Sequence, residues 1–221
     1  MNKKRLMGKE ASMIYLLSPE AKEGCIHLPM IRFHTFEKEI IFDTYDMLMF
    51  TSKQAVLSAE HSNKDWKKVP CIAIGNATAK QIESLGGTVE YTPETFYAKT
   101  LTETIVKNFQ NKKILYLRPK EVSFDSKGFL ASKGIALYEE IIYETACVHY
   151  AKKDKPEKNA IIIFTSPSTI HCFLKSFGWD ETYHAIVIGE VTKKYLPKNA
   201  SMSVANEPLI DACIKKAKSL I

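Results

Sequence analysis

Arginine is nearly absent from this chain. Arg5, Arg32 and Arg118 are the whole complement, so the 31 basic residues are almost all lysine. Guanidinium forks are the usual readers of phosphate backbones. A net charge of +6 carried by lysine therefore argues against nucleic-acid binding and for a solvated basic surface. The same mild positive field favours an anionic small molecule. Long apolar runs are missing as well, none approaching the ~20 residues that cross a bilayer, so no membrane span is expected. The five cysteines contain no C-x-x-C pair. Cys71 and Cys172 lie inside apolar patterns, the setting of inert buried thiols, and suggest a reducing, cytoplasmic compartment. The basic Met1–Arg5 is followed by Lys9 and Glu10 rather than by an apolar stretch, so no secretory signal is expected. Met1–Ser12 shows no pattern and reads as a lead-in, with Met13 an alternative start.

Several chemistries lack their motifs. Ile74-Gly75-Asn76-Ala77-Thr78 has one glycine where a dinucleotide fingerprint needs three, and no G-x-x-x-x-G-K-[ST] phosphate loop occurs. The six histidines show no H-E-x-x-H and no paired spacing with cysteine, so no metal site is expected. No G-x-S-x-G elbow is present, and no histidine is placed to activate Ser52 or Ser166. Covalent catalysis is thus unsupported, and no cofactor is expected.

What the chain does contain is a repeated turn. Ile161-Ile162-Ile163-Phe164 reads as a strand buried on both faces. Ser166 then offers an N-cap oxygen and Pro167 suits the first helical position. Ile170, Phe173, Leu174 and Phe177 supply one helical face. Phe50-Thr51-Ser52 stands 114 residues before Phe164-Thr165-Ser166, and Ile74-Gly75-x-x-Thr78 stands 114 before Ile188-Gly189-x-x-Thr192. Two matches at one offset imply an internal duplication. The expected product is two similar lobes whose like strand ends share a cleft.

Strands alternate with helices throughout, which implies parallel sheets covered on both faces. The expected fold class is α/β, with two flavodoxin-like or Rossmann-like lobes joined by a two-stranded linker. Met13–Leu17 supplies a strand that the C-terminal half lacks. One lobe is therefore expected to be discontinuous (residues 1–36 and 148–221) and the other continuous (37–147). Linker strands are expected at about 31–41 and 141–149. Gly24–Pro29 and Ser62–Lys68 read as loops. Ile135–Tyr150 looks too long for a single strand.

Four helix starts, at Ser52, Asn76, Ser166 and Glu190, then lie at the carboxyl ends of parallel strands, where open α/β sheets bind ligands. Their free N–H groups suit carboxylates or phosphates. Plain structural roles stand beside this reading. Ser52 and Ser166 are also ordinary N-caps, Thr78 and Thr192 can bond their own backbone, and Arg118 can be an ion-paired strand end.

Taken together, Phe50-Thr51-Ser52-Lys53-Gln54-Ala55-Val56, Ala73-Ile74-Gly75-Asn76-Ala77-Thr78-Ala79, Leu117-Arg118-Pro119, Ile142-Tyr143-Glu144-Thr145, Phe164-Thr165-Ser166-Pro167-Ser168 and Ile188-Gly189-x-x-Thr192 resemble the uroporphyrinogen-III synthase family. The resemblance runs from about Met13 to the C-terminus. It implies two α/β lobes on a two-stranded linker and a cofactor-free reaction. In that reaction hydroxymethylbilane loses water and closes to a macrocycle while its last pyrrole ring inverts. It further implies Tyr143 as a proton donor to the departing hydroxyl. Ser52, Lys53, Gly75, Asn76, Thr78, Arg118, Ser166, Ser168, Gly189 and Thr192 are implied around the substrate's carboxylates, in a cytoplasmic monomer. Lys53 stands where arginine is frequent in the family, and Glu190 adds negative charge at a presumed carboxylate site. Strand alternation sets Tyr143 with Ile141 and Thr145, opposite Ile142 and Glu144. The plain alternative for Tyr143 is a packing residue of an exposed ribbon. The alternative function is a non-enzymatic binding module for an anionic metabolite.

Overall fold

The computed structural model describes residues 12–93 and 97–221, so all but the last residue of the lead-in lies outside the described residues. The chain divides into two units, Met1–Arg32 with Ala146–Ile221 (first) and Phe33–Thr145 (second). In chain order, β1 (Ile14–Leu16) and β2 (Ile26–His27) open the first unit, and β3 (Ile31–Thr35) leads out of it. The second unit holds β4 (Met47–Phe50), α1 (Lys53–Ser62), β5 (Cys71–Ala73), α2 (Asn76–Ser84) and β6 (Val89–Tyr91). It continues with α3 (Ala98–Asn108), β7 (Ile114–Pro119) and α4 (Ser126–Ala131), and β8 (Leu137–Cys147) leads back. The first unit ends with β9 (Ile161–Phe164), α5 (Pro167–Phe177), β10 (His184–Val187), α6 (Glu190–Lys193), β11 (Ser201–Val204) and α7 (Ile210–Lys218).

The first unit's sheet runs β11-β10-β9-β1-β2 and the second's runs β3-β8-β7-β4-β5-β6. The pairings of β1, β2 and β9–β11, and of β4–β8, are parallel. Both faces of each sheet are covered, which is why the strands read as unbroken apolar runs. In β4, Leu48 and Phe50 join one core while Met47 and Met49 join the other. In β9, Ile162 and Phe164 face one core and Ile161 and Ile163 the other.

The duplication is visible strand for strand. β4 between β5 and β7 corresponds to β9 between β10 and β1, so β1 fills in the first unit the place of β7 in the second. Register fixes the match. Leu16 lies opposite Ile163, and Tyr116 lies opposite Met49, its repeat equivalent.

Some expectations need correction. Leu137–Cys147 is one unbroken strand of 11 residues, not two pieces. It can be that long because β7 pairs with residues 137–143 and β3 is its other neighbour. Of the expected 31–41 linker strand only Ile31–Thr35 forms a strand, and a 3-10 turn follows at Phe42–Thr44. Phe33–Phe36 belong with the second unit, where Phe33 meets Tyr143 edge-on and the Phe36 N–H donates to Ile142 O at 2.9 Å. The Gly24–Pro29 loop contains the short strand β2. The Ser62–Lys68 loop carries a 3-10 turn, Lys64–Lys68, whose Trp66 is fully buried and donates to Glu60 Oε2 at 3.0 Å. Cys172 is not a free thiol: it is bridged to Cys147, while Cys25, Cys71 and Cys213 remain free. No described helix is long and apolar enough to cross a membrane.

Candidate active site

The second unit gathers the chemistry at the carboxyl end of its strands. β4 ends at Phe50, and Ser52, extended at φ −159°, caps α1 by accepting from the Ala55 N–H at 3.0 Å. The same Ser52 Oγ is hydrogen-bonded to Tyr143 OH at 2.8 Å. Thr51, one residue earlier, is hydrogen-bonded to Tyr116 OH, also at 2.8 Å. Two consecutive hydroxyls thus each hold a phenol.

Tyr143 reaches this position through a fault in the ladder. Arg118 pairs with Ile141 but Pro119 pairs with Tyr143, so Ile142 is inserted between them. Such a bulge turns two residues toward one partner and breaks the alternation. Ile142 and Tyr143 therefore enter the same core, contrary to the expected split, and Tyr143 keeps only 5% exposure. Burial raises its pKa, and the Ser52 hydrogen bond offsets that only in part. At neutral pH the phenol keeps its proton, so it can give a proton but cannot act as a base. Burial likewise pushes the Tyr116 phenol up to about 12, with Thr51 opposing.

The other candidates of this unit behave differently from one another. Gly75 is the extended N-cap of α2, without a side-chain cap, and its carbonyl accepts from Thr78 and Ala79 N–H, each at 3.0 Å. Asn76 is exposed at the first position of α2, and Lys53 is exposed at the first position of α1. Thr78 is 4% exposed on the first turn of α2. Arg118 is turned inward. Its Nη1 donates to Pro119 O at 2.9 Å and Lys120 O at 3.0 Å, and its Nε sits 3.2 Å from Glu139 Oε1 without hydrogen-bond alignment.

In the first unit Ser166 caps α5 through Thr169 N–H at 3.3 Å, and Thr169 Oγ1 accepts from Ser166 N–H in return. Ser168 is half-buried on the first turn. Gly189, at φ −180° and ψ 172°, copies Gly75, at −178° and 173°. Thr192, at the equivalent position of α6, is 3% exposed. Glu190 pairs with Lys193 at 3.4 Å, which partly offsets its charge at this turn.

Sequence reading singled out neither Tyr116 nor Thr51 as site residues. A signal for Tyr116 exists in Ile114-Leu115-Tyr116-Leu117-Arg118. A strand buried on both faces has no packing need for Tyr and Arg at alternate positions.

Duplicated strand–cap–helix turns in two parallel-sheet units, one of them holding a buried phenol, define an internally duplicated α/β protein. The family model described as Uroporphyrinogen-III synthase HemD matches residues 20–215, and the chain belongs to that family. A uroporphyrinogen-III synthase of Synechococcus elongatus is 26% identical over 141 residues, 58% of this chain and 53% of that protein. A porphyrin biosynthesis protein HemD of Ruminiclostridium josui is 30% identical over 156 residues, 65% of this chain and 30% of that protein. The matches thus span about half and under a third of these two relatives. The crystal structure of uroporphyrinogen-III synthetase from Helicobacter pylori matches with a TM-score of 0.79 at 27% identity. It covers 95% of this chain and 100% of that one.

Proposed function

We propose that the chain is a uroporphyrinogen-III synthase, closing hydroxymethylbilane with loss of water and inversion of the last pyrrole ring. The observation that carries this is the buried, protonated Tyr143 held 2.8 Å from Ser52 at the start of α1, in a chain of this family. Hydroxide is a poor leaving group. A proton from Tyr143 OH lets the C–O bond of the hydroxymethyl group break with water as the product, and the phenolate recovers its proton from solvent. Ser52 acts through Tyr143, because its oxygen is already engaged by Ala55 and the phenol.

The remaining task is orientation: a flexible chain must present one carbon and not its neighbour to the new centre. The substrate's carboxylates provide the handles. Gly75, Asn76 and Thr78 in one unit, and Ser166, Ser168, Gly189 and Thr192 in the other, offer N–H groups and hydroxyls suited to them. Lys53 adds a point charge. Arg118, held at the strand end by Glu139 and two carbonyls, is a further candidate contact for a carboxylate.

The reading keeps a monomer without cofactor or nucleic-acid partner. It also keeps a cytoplasmic site of action, against which the Cys147–Cys172 bridge stands as the one discordant feature. Incubation with enzymatically made hydroxymethylbilane tests the function. Accelerated formation of the type III isomer is expected. Type I product alone, at the spontaneous rate, favours a binding module instead.

A further inference from the structure

The two phenols at the end of β4 are unequal in what the proposed reaction asks of them. Tyr143 has a task there; Tyr116 has none, yet it is bonded to the residue next to Ser52. It lies opposite Met49, two residues before Thr51. Its long side chain runs along the strand and spans that two-residue rise of about 6.6 Å, so its hydroxyl meets Thr51 Oγ1 at 2.8 Å. The ring is locked, 3% exposed, in a core with Met47, Met49 and Ile114. Thr51-Ser52 is therefore tied at one residue to Tyr116 on β7 and at the next to Tyr143 on β8.

The first unit supplies the control. It repeats the turn as Thr165-Ser166 but has Leu16 at the position of Tyr116. Its turn keeps the same backbone form, with Ser166 at φ −165° and ψ 162° against −159° and 153° for Ser52. A phenol is thus not needed to form the turn.

We propose that Tyr116 is a positioning residue for the ring closure: through Thr51 it fixes the turn that holds Ser52 against Tyr143. This rests on the synthase reading. Displacement of a reacting group by a fraction of an ångström lowers the rate of the chemical step more than it weakens binding.

The test is a double-mutant cycle of Tyr116→Phe and Thr51→Val, each removing one hydroxyl of the pair and little volume. Each single variant is expected to lose about 3- to 10-fold in kcat with KM unchanged, and to release more type I isomer. The double variant is expected to lose no more than either single one. Unchanged kcat in both variants, losses that multiply in the double variant, or a change confined to KM each overturn the proposal. Should Tyr116→Phe fail to fold, Thr51→Val alone decides by its kcat and isomer ratio. Wild-type enzyme that makes no type III isomer refutes the synthase reading before any variant is measured, so the two failures are distinct.

Discussion

The turns after β4 and β9 share one backbone and differ in what their serines hold. Ser52 and Ser166 both cap helices, but the residue three positions on is Ala55 in one and Thr169 in the other. Thr169 closes a reciprocal capping box and its hydroxyl donates to Ser166 O at 2.7 Å. That cap is turned in on itself. Ala55 has no side-chain oxygen, and Ser52 is bonded to Tyr143 instead. The duplicated turns thus share one backbone form, while Ala55 stands where the other copy has Thr169 and Tyr116 where it has Leu16.

The largest expected effect breaks the chemical copy. Tyr143→Phe retains the ring and its edge-on contact with Phe33 and removes only the hydroxyl. General acid assistance is worth about 10²–10⁴-fold, so kcat should fall by that order with KM nearly constant. Steady-state kinetics with isomer analysis checks this, and drift toward type I should accompany the loss. Full kcat with pure type III product would leave positioning alone to explain catalysis.

A smaller effect tests what the copies share. Thr78→Ala and Thr192→Ala each remove a buried hydroxyl at equivalent positions. A hydrogen bond to a charged group is worth roughly 1.5–3 kcal/mol, or about 10- to 150-fold in kcat/KM. Melting temperatures should stay close to wild type. Near-wild-type kinetics in both would return these residues to ordinary first-turn threonines.

Stability should separate the units as well, because the only bridge present lies in the first. Cys147 and Cys172 are 25 residues apart. Closing a loop of that size is worth about 3 kcal/mol on the chain-entropy view. Reduction is therefore expected to lower the denaturant midpoint of the first unit by a corresponding amount. Reporter signals from Trp179, packed there against Phe164 and Tyr183, should move before those of Trp66 in the second unit. Coincident, unshifted transitions would show the bridge to be without weight.

Much of this was legible in the sequence. The β-branched run at Ile161–Ile163, the N-caps Ser52 and Ser166, and the assignment of β1 to the sheet of the C-terminal half follow from local pattern and the 114-residue offset, whereas its place beside β9 does not. Left-handed Gly86 ends α2's last turn at φ 87°, as its Gly-Gly stop signal suggests. The remainder depends on neighbours that no local pattern names. Periodicity shows β8 to be extended, but not that its two ends have different partners. The inserted Ile142 arises from register against Pro119, so the alternation drawn from sequence separated Tyr143 from Ile142, whereas both enter one core. The Cys147–Cys172 pair has a spacing without meaning until β8 and α5 are adjacent. The Thr51–Tyr116 bond joins residues 65 positions apart. For the site, the caps were readable and the tyrosine pair was not.

The central claim is that one of two equivalent caps serves the chemical step. Ser52→Ala and Ser166→Ala compared side by side test it most directly. Each loses one N-cap, about 1 kcal/mol, so thermal midpoints should fall together. Ser52→Ala should also lower kcat about tenfold as Tyr143 loses its partner, while Ser166→Ala should act on KM. Equal changes in kcat from the two substitutions would contradict the account.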